Sequence, residues 1–298
     1  MKSNLRDFLT VRDGYSILGF SSPIISLNPY KSCDYGCLYC KQCKQKGNST
    51  IAKEELLEKL EKGLEGKLRA GKLKGAFRSK AWLFIGDHVE CFGPSEEQHK
   101  LSLEAMKILN KYNYRYGIIT KSNLIGTDRY IEQLRKDTEI QISVSTPMDY
   151  CSRIMEQGAP TTSQRLKVAG IIKNLGYNVI VRVEPVFPDR PDYFYSLGRN
   201  QSTASKFVYW NNILIYQIFD RGIRDIIVNM LQAHRSMFPD IEKAFGFDLR
   251  PFYKENNTLP YCSTYYSCLE KQYYYHQIES LAKHYKIQAT ILRNMNER

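Results

Sequence analysis

The sequence predicts an α/β fold in which a parallel sheet is covered by helices and is either open or curled into a full or partial barrel. Three observations predict it. Seven short runs rich in β-branched and aromatic residues recur along the chain, segments with helical periodicity fill the intervals, and no linker or fixed-period repeat divides the whole. The chain has 298 residues, 43% of them hydrophobic and 25% charged, an ordinary globular composition that excludes a disordered or fibrous protein. A single domain over residues 1–298 is therefore expected.

The strand-like runs are Ser22 to Leu27, Ala81 to Ile85, Tyr116 to Thr120, Glu139 to Val144, Asn178 to Val183, Asp225 to Met230 and Ile287 to Leu292. Between the first two, Ile51 to Ala70 places Leu57, Leu60, Leu64 and Leu68 at spacings of three or four, with Glu54 and Glu55 near the start, and reads as one helix. Ser95 and Gln98 form a capping box for a helix reaching about Tyr112, and Thr161 with Gln164 does the same for one ending near Gly176. In the last third the tyrosines Tyr261, Tyr265, Tyr266, Tyr273, Tyr274 and Tyr275 suit base stacking. Tyr274, Ile278, Leu281 and Tyr285, however, fall at helical spacing, the pattern of a face packed on a core. In folds of this kind chemistry gathers at the C-terminal strand ends.

Charge narrows the partners. Lys and Arg number 43 against 31 Asp and Glu, a formal net charge of +12, which favours a polyanionic partner or an anionic small substrate. Between Gly66 and Lys80 stand Lys67, Arg69, Lys72, Lys74, Arg78 and Lys80 with no acidic residue, a candidate phosphate-contacting loop whose alternative is a solvated basic surface. No stretch approaches the length of uncharged apolar residues that spans a membrane, and Arg6, Asp7, Arg12 and Asp13 interrupt any leader-like run, so a cytoplasmic protein with no membrane partner is expected. Eight cysteines in a reducing compartment read as metal ligands, catalytic thiols and buried free thiols.

The most informative segment is Asn28 to Cys43, NPYKSCDYGCLYCKQC, where Cys33, Cys37 and Cys40 fall at C-x3-C-x2-C on the loop leaving the first strand. Three thiolates that close together can hold three irons of a cubane [4Fe-4S] cluster and leave the fourth open to an exogenous ligand. A structural zinc would want four ligands; Cys40 and Cys43 supply one pair, and Cys262 with Cys268 an awkward second.

C-x3-C-x2-C with Tyr39 just before its last cysteine, following strand one of a βα array, resembles the signature of the radical S-adenosylmethionine (SAM) superfamily. In order and spacing, NPYKSCDYGCLYC, ITKSNLI (Ile119 to Ile125), SVSTPMD (Ser143 to Asp149), RIMEQGAPTTSQRL (Arg153 to Leu166) and VEPVFP (Val183 to Pro188) resemble the spore photoproduct lyase-like branch, whose members are often labelled DNA repair photolyases. The resemblance covers roughly residues 20 to 190 and implies a partial (β/α)6 barrel, with the remainder as a C-terminal extension. It further implies that the amine and carboxylate of SAM chelate the open iron. One electron then cleaves SAM to methionine and a 5'-deoxyadenosyl radical that abstracts hydrogen from substrate.

Carried over residue by residue, Cys33, Cys37 and Cys40 are the cluster ligands and Tyr39 packs beside the adenine. Lys121, at a strand end, pairs with the SAM carboxylate. Ser143 and Ser145, two apart on a strand, face the sugar or sulfonium end. Gly86 and Asp87 occupy the place where related enzymes approach the methionyl amine. Arg165 and Glu184 match family positions too, either as cofactor contacts or as a buried Arg-Glu pair holding the barrel. Cys91, in GDHVECFGP, is a candidate to return a hydrogen atom to a product radical. Here the sequence departs from the lyase proper, which places its hydrogen-donating cysteine earlier in this loop; the best register puts Asp87 there. Cys43 reads as a thiol beside lysines, Cys151 as packed near a helix start, and Cys262 and Cys268 as buried thiols or ligands of an additional cluster.

These readings point to a radical SAM enzyme, lyase-like by resemblance, acting on a nucleic acid or nucleotide and drawing electrons from a reductant such as flavodoxin or ferredoxin. The alternatives are a radical SAM enzyme on a peptide or metabolite and a zinc-stapled, non-catalytic nucleic-acid-binding protein.

Overall fold

The computed structural model describes residues 8–19, 21–40, 54–187, 210–245, 250, 253–255, 265–268 and 271–292. Its main sheet has eight strands: β1 (Leu9–Asp13) and β2 (Pro23–Leu27), then, beyond the short β3 (Gly36–Cys37), β4 (Leu83–Ile85), β5 (Tyr116–Thr120) and β6 (Glu139–Val144). Past β7 (Glu156–Gln157) follow β8 (Asn178–Val186), β9 (Asp225–Met230) and, after a small three-stranded sheet of β10 (Ala233–His234), β11 (Tyr253–Glu255) and β12 (Tyr265–Cys268), the last strand β13 (Gln288–Ile291). From β2 to β13 the main-sheet strands are all parallel and stand side by side in chain order. Such order, without the reversal of an open doubly wound sheet, is the winding of a barrel.

All seven expected strands are thus present. The last two show that the chain beyond residue 190 continues the sheet, adding a seventh parallel strand to the six expected of the barrel. The unforeseen β1 runs antiparallel to β2 on the outer edge.

Alternation explains the sheet. Ile25, Leu27, Leu83, Ile85, Ile118, Ile140, Ile142, Val181, Val183, Ile226 and Val228 belong to the core shared with the helices. The residues between them turn to the barrel interior, where the lower level is apolar (Ile17, Ile24, Phe84) and the upper level is polar. The interior is plugged by a single-turn helix, α1 (Tyr15–Leu18). Arg182 donates to the Ser16 carbonyl at 2.8 Å and Gln141 to the Ile17 carbonyl at 3.2 Å, so two strands grip the turn by its own unsatisfied carbonyls. Ile17 consequently borders both a cavity at the C-terminal ends of the strands and a smaller one of 210 Å³ at their N-terminal ends.

Two helix expectations need correction. The helix expected over Ile51 to Ala70 is described as α2 (Glu54–Leu64); Gly66 takes φ 73°, and the basic segment expected as a loop contains a second helix, α3 (Lys72–Arg78). A Cβ on Gly63 would stand 2.3 Å from the Phe77 ring, and this close approach folds α3 back onto α2. The helix expected up to Tyr112 is broken at Lys100 (φ 57°) into α4 (Pro94–His99) and α5 (Leu101–Lys111). Ser95 does not cap it. Gly93 is the N-cap, and Ser95 gives its N–H and hydroxyl to Asp34 at 2.8 and 2.9 Å. The buried Glu96 carboxylate instead caps α5, accepting from the N–H groups of Ser102 and Leu103 at 2.9 Å each.

The short α6 (Asp128–Ile131) follows β5, and the Thr161–Gln164 capping box is present at the start of α8 (Thr162–Asn174). Cys151 is buried in α7 (Asp149–Met155). Tyr274 and Ile278 are fully buried on helix Lys271–His284, with Leu281 and Tyr285 packed at the margin of the core, as the core reading required. No helix among the described residues is long and apolar enough to cross a membrane.

Candidate active site

A cavity of 460 Å³ opens at the C-terminal ends of β4, β5, β6, β8 and β9. Cys33, Cys37 and Cys40 border it from the loop after β2; none of the three is in a disulfide, and Cys37 is buried and the others half-buried. The loop is held by its backbone: β3 pairs with β7, setting Cys37 opposite Glu156, and the Leu38 N–H donates to the Met155 carbonyl at 2.8 Å. Asp34 ties it to α4 through Ser95. Among the described residues no three Cys, His, Asp or Glu side chains converge as they would on a single metal ion. Three soft sulfur donors bordering one cavity suit a multinuclear iron–sulfur cluster, whose irons each take their own thiolate.

Beside the cysteines lies a buried network of charges. Glu156, 0% exposed, accepts from the Tyr39 hydroxyl and from the Arg165 guanidinium, and Lys121 Nζ stands 3.9 Å from its carboxylate. Burial pushes the Glu156 carboxyl up, but Arg165 and Lys121 more than offset this and hold it below the usual carboxylate range. Burial likewise opposes the charge of Lys121, yet Glu156 and Cys37 keep its ammonium above the ordinary lysine value. The Tyr39 phenol is raised by burial and by Glu156, so Tyr39 is a neutral donor, with its ring 5.8 Å from that of Phe187.

The opposite wall is built on β8 and β9. Arg182 pairs with Glu184 on the same strand and donates to Gln141 at 2.6 Å, and Asn229 donates to Glu184 at 2.7 Å. Burial acts to raise Glu184, but Arg182 and the Asn229 bond leave it lowered. The expected Arg165–Glu184 pair therefore does not form. Each residue has a nearer partner, because β7 brings Glu156 under α8 while Arg182 and Glu184 share one face of β8.

Gly86 takes φ 85°, and a Cβ there would lie 2.4 Å from the Ile119 carbonyl oxygen, so only glycine fits. Asp87 borders the cavity, but its carboxylate already accepts from Ser26 (2.6 Å), Asn28 (3.0 Å) and Arg12 (2.8 Å). Ser143 lines the cavity and gives its carbonyl to Arg165 at 2.7 Å. Ser145 lies beyond the end of β6, outside the lining, with a buried hydroxyl that has no hydrogen-bond partner among the described residues. Cys91 is 0% exposed and also outside the lining; its thiol points to the Val89 carbonyl at 3.4 Å, and burial first, then Glu90, pushes its pKa up. Cys43 and Cys262, like residues 41–53 in general, lie outside the described residues, as does the side chain of Cys268.

Sequence reasoning missed Glu90, Glu156, Arg182 and Asn229. Glu90 borders the cavity and binds the end of β5, accepting from the Lys121 N–H and the Thr120 hydroxyl at 2.7 Å each. A signal for Arg182 and Glu184 was present: two charges at alternate positions of an otherwise apolar strand must both face a polar interior.

No protein-family model and no curated protein matches the chain. Solved structures do. A double mutant of spore photoproduct lyase with bound AdoMet and dinucleoside spore photoproduct matches with TM-score 0.62 at 13% identity, over 97% of this chain and 80% of that one. Spore photoproduct lyase complexed with dinucleoside spore photoproduct matches with TM-score 0.61 at 14% identity, over 94% and 79%. Streptococcus suis SuiB bound to S-adenosylmethionine matches with TM-score 0.52 at 12% identity, over 90% of this chain and 49% of that one. The chain has the fold of spore photoproduct lyase, and the likeness extends past residue 190.

Proposed function

We propose that this chain is a radical SAM enzyme that holds a [4Fe-4S] cluster on Cys33, Cys37 and Cys40 and acts on a nucleic acid or nucleotide. The observation that carries the reading is the convergence of three cysteines from one loop on a cavity at the C-terminal strand ends, walled by Lys121, Ser143 and the bare backbone of Gly86. When bound, the cluster supplies the electron that cleaves SAM to methionine and a 5'-deoxyadenosyl radical. The chain's residues bind and orient. Lys121 would offer an ammonium to the SAM carboxylate, Tyr39 lines the cavity between the cysteines and Phe187, and the Gly86 backbone would admit the methionyl amine. Asp87 shapes this wall through Ser26, Asn28 and Arg12.

The nucleic-acid substrate rests on the net charge of +12, the basic helix α3 and the dinucleoside bound by the spore photoproduct lyase of like fold. Cys33, Cys37, Cys40, Cys91 and Cys151 form no disulfide, which suits the reducing cytoplasm, where flavodoxin or ferredoxin would serve as reductant.

The test is anaerobic reconstitution with iron and sulfide, followed by electron paramagnetic resonance of the reduced protein with and without SAM, for wild type and Cys40→Ala. A cubane signal that shifts with SAM and is lost in the variant is expected. Absence of a cluster, or of 5'-deoxyadenosine with a reductant, would overturn the reading. The substrate is tested separately by DNA and RNA binding across a salt series; binding that is absent or salt-insensitive removes the nucleic acid and leaves peptide or metabolite substrates.

A further inference from the structure

Glu156 meets the cysteine loop through both its backbone and its side chain. Its backbone pairs with that of Cys37 in the β3–β7 ladder. Its carboxylate accepts from Tyr39, the neighbour of Cys40, and from Arg165, whose other terminal nitrogen donates to the Ser143 carbonyl at 2.7 Å on the cavity wall. Lys121, at the end of β5, stands 3.9 Å from the same carboxylate oxygen that Tyr39 bonds. One buried carboxylate thus gathers the cysteine loop, the end of β5 and the end of β6.

The charges give this junction a direction. One carboxylate among a guanidinium and an ammonium leaves a surplus positive charge in a water-poor site beside Cys37, and Arg165 Nε is buried without a hydrogen-bond partner. Such a surplus is costly unless an anion stands next to it. Glu90, whose carboxylate accepts from the Lys121 N–H at 2.7 Å, supplies one on the Lys121 side, and the loop sulfurs are the other groups at hand.

We propose that Glu156 is a positioning residue for the cysteine loop, fixing Cys37 and Cys40 relative to Lys121 before any cofactor binds. Where a cluster and SAM are concerned the proposal rests on the reading above; the thiol geometry stands without it. Removing the carboxylate should free the Tyr39 side of the loop and leave Arg165 and Lys121 repelling each other, so the thiols open to solvent while the barrel stays folded.

The experiment labels the cofactor-free, reduced protein anaerobically with iodoacetamide and reads each cysteine by mass spectrometry. In Glu156→Gln, labelling of Cys37 should quicken about tenfold, the result of closure weakened by about 1.4 kcal/mol. Tyr39→Phe, which removes only the phenol donor, should move in the same direction by less. Buried Cys91 is the internal reference for general loosening, and Glu139→Gln, at a carboxylate bordering the lower cavity away from the loop, is the control. Unchanged labelling of Cys37 in both Glu156→Gln and Tyr39→Phe, or equal quickening at Cys91 or in Glu139→Gln, would overturn the proposal. Iron uptake measured in parallel separates the two readings: wild type that takes up no iron retires the cluster, whereas protection of Cys37 by Glu156 is judged on labelling alone.

Discussion

The Arg12 guanidinium stands 2.8 Å from the Asp87 carboxylate, joining the edge strand β1 to the loop that borders the cavity at the C-terminal strand ends. The two differ in burial: the Arg12 side chain is 38% exposed and that of Asp87 is 0% exposed. Ser26 and Asn28 still bond Asp87 when Arg12 is removed, so the carboxylate keeps its hydrogen bonds but loses its counter-charge. Arg12→Met should therefore cost about 1–2 kcal/mol, above an exposed pair and below a fully buried one. Urea unfolding measures it; a loss under about 0.5 kcal/mol would mean that Ser26 and Asn28 suffice.

Gly86 answers to two constraints at once, a left-handed φ of 85° and a backbone oxygen 2.4 Å from where a Cβ would sit. A rigid strand, not a flexible side chain, presents that oxygen, so Gly86→Ala can be accommodated only by moving the loop. We expect a loss of about 2–4 kcal/mol, summing strain and overpacking, together with loss of SAM binding by calorimetry. Full stability with unchanged binding would show that the loop is softer than the geometry implies.

What the sequence disclosed follows from what decides each feature. Strands such as Glu139–Val144 and Asp225–Met230 were legible to the residue because their apolar positions serve the helix-facing core, a one-dimensional signal. The Thr161–Gln164 box is equally local. The break at Lys100 was not legible, since a lysine at positive φ has no composition signal and is held by the Glu96 cap on α5. Ser95 satisfied the capping pattern and lost to Gly93 because Asp34, in a different loop, claimed its hydroxyl. The site followed the same division. The cysteines announced themselves by spacing, whereas Arg165 chose Glu156 over Glu184 only once β7 had paired with β3, a choice that exists in three dimensions alone.

Glu139 faces the lower cavity, where burial raises its carboxyl above the usual value despite the Gln141 bond and the nearby Arg182. A carboxyl raised in the folded state favours folding at low pH and loses that contribution as pH rises through its folded-state value, so the charged form is a burden at neutrality. Glu139→Gln keeps an acceptor for Gln141 and removes the charge. The variant should melt higher than wild type at pH 7–8, with the advantage shrinking as pH falls toward the ordinary glutamate value of about 4.3. An advantage that is constant across this range, or a lower melting temperature at pH 7, would show that Arg182 needs the charge more than burial resents it.

Cys91 offers the sharpest contrast between what its neighbourhood in sequence suggests and where its side chain goes. Val89 and Glu90 border the cavity while Cys91, next in the chain, turns beneath them to the Val89 carbonyl and is 0% exposed. A thiol delivers a hydrogen atom only by contact, and one that must stay protonated in an apolar bed is also a poor nucleophile. Iodoacetamide at pH 8 should therefore label Cys33 and Cys40 and spare Cys91. Cys91→Ala should lose about 1 kcal/mol of stability for the small void it leaves, yet reconstituted protein should form 5'-deoxyadenosine at the wild-type rate. Were the variant to cleave SAM normally but accumulate products of an unquenched substrate radical, the 86–93 loop would have to turn Cys91 into the cavity during turnover, and the hydrogen-donor role expected from sequence would be restored.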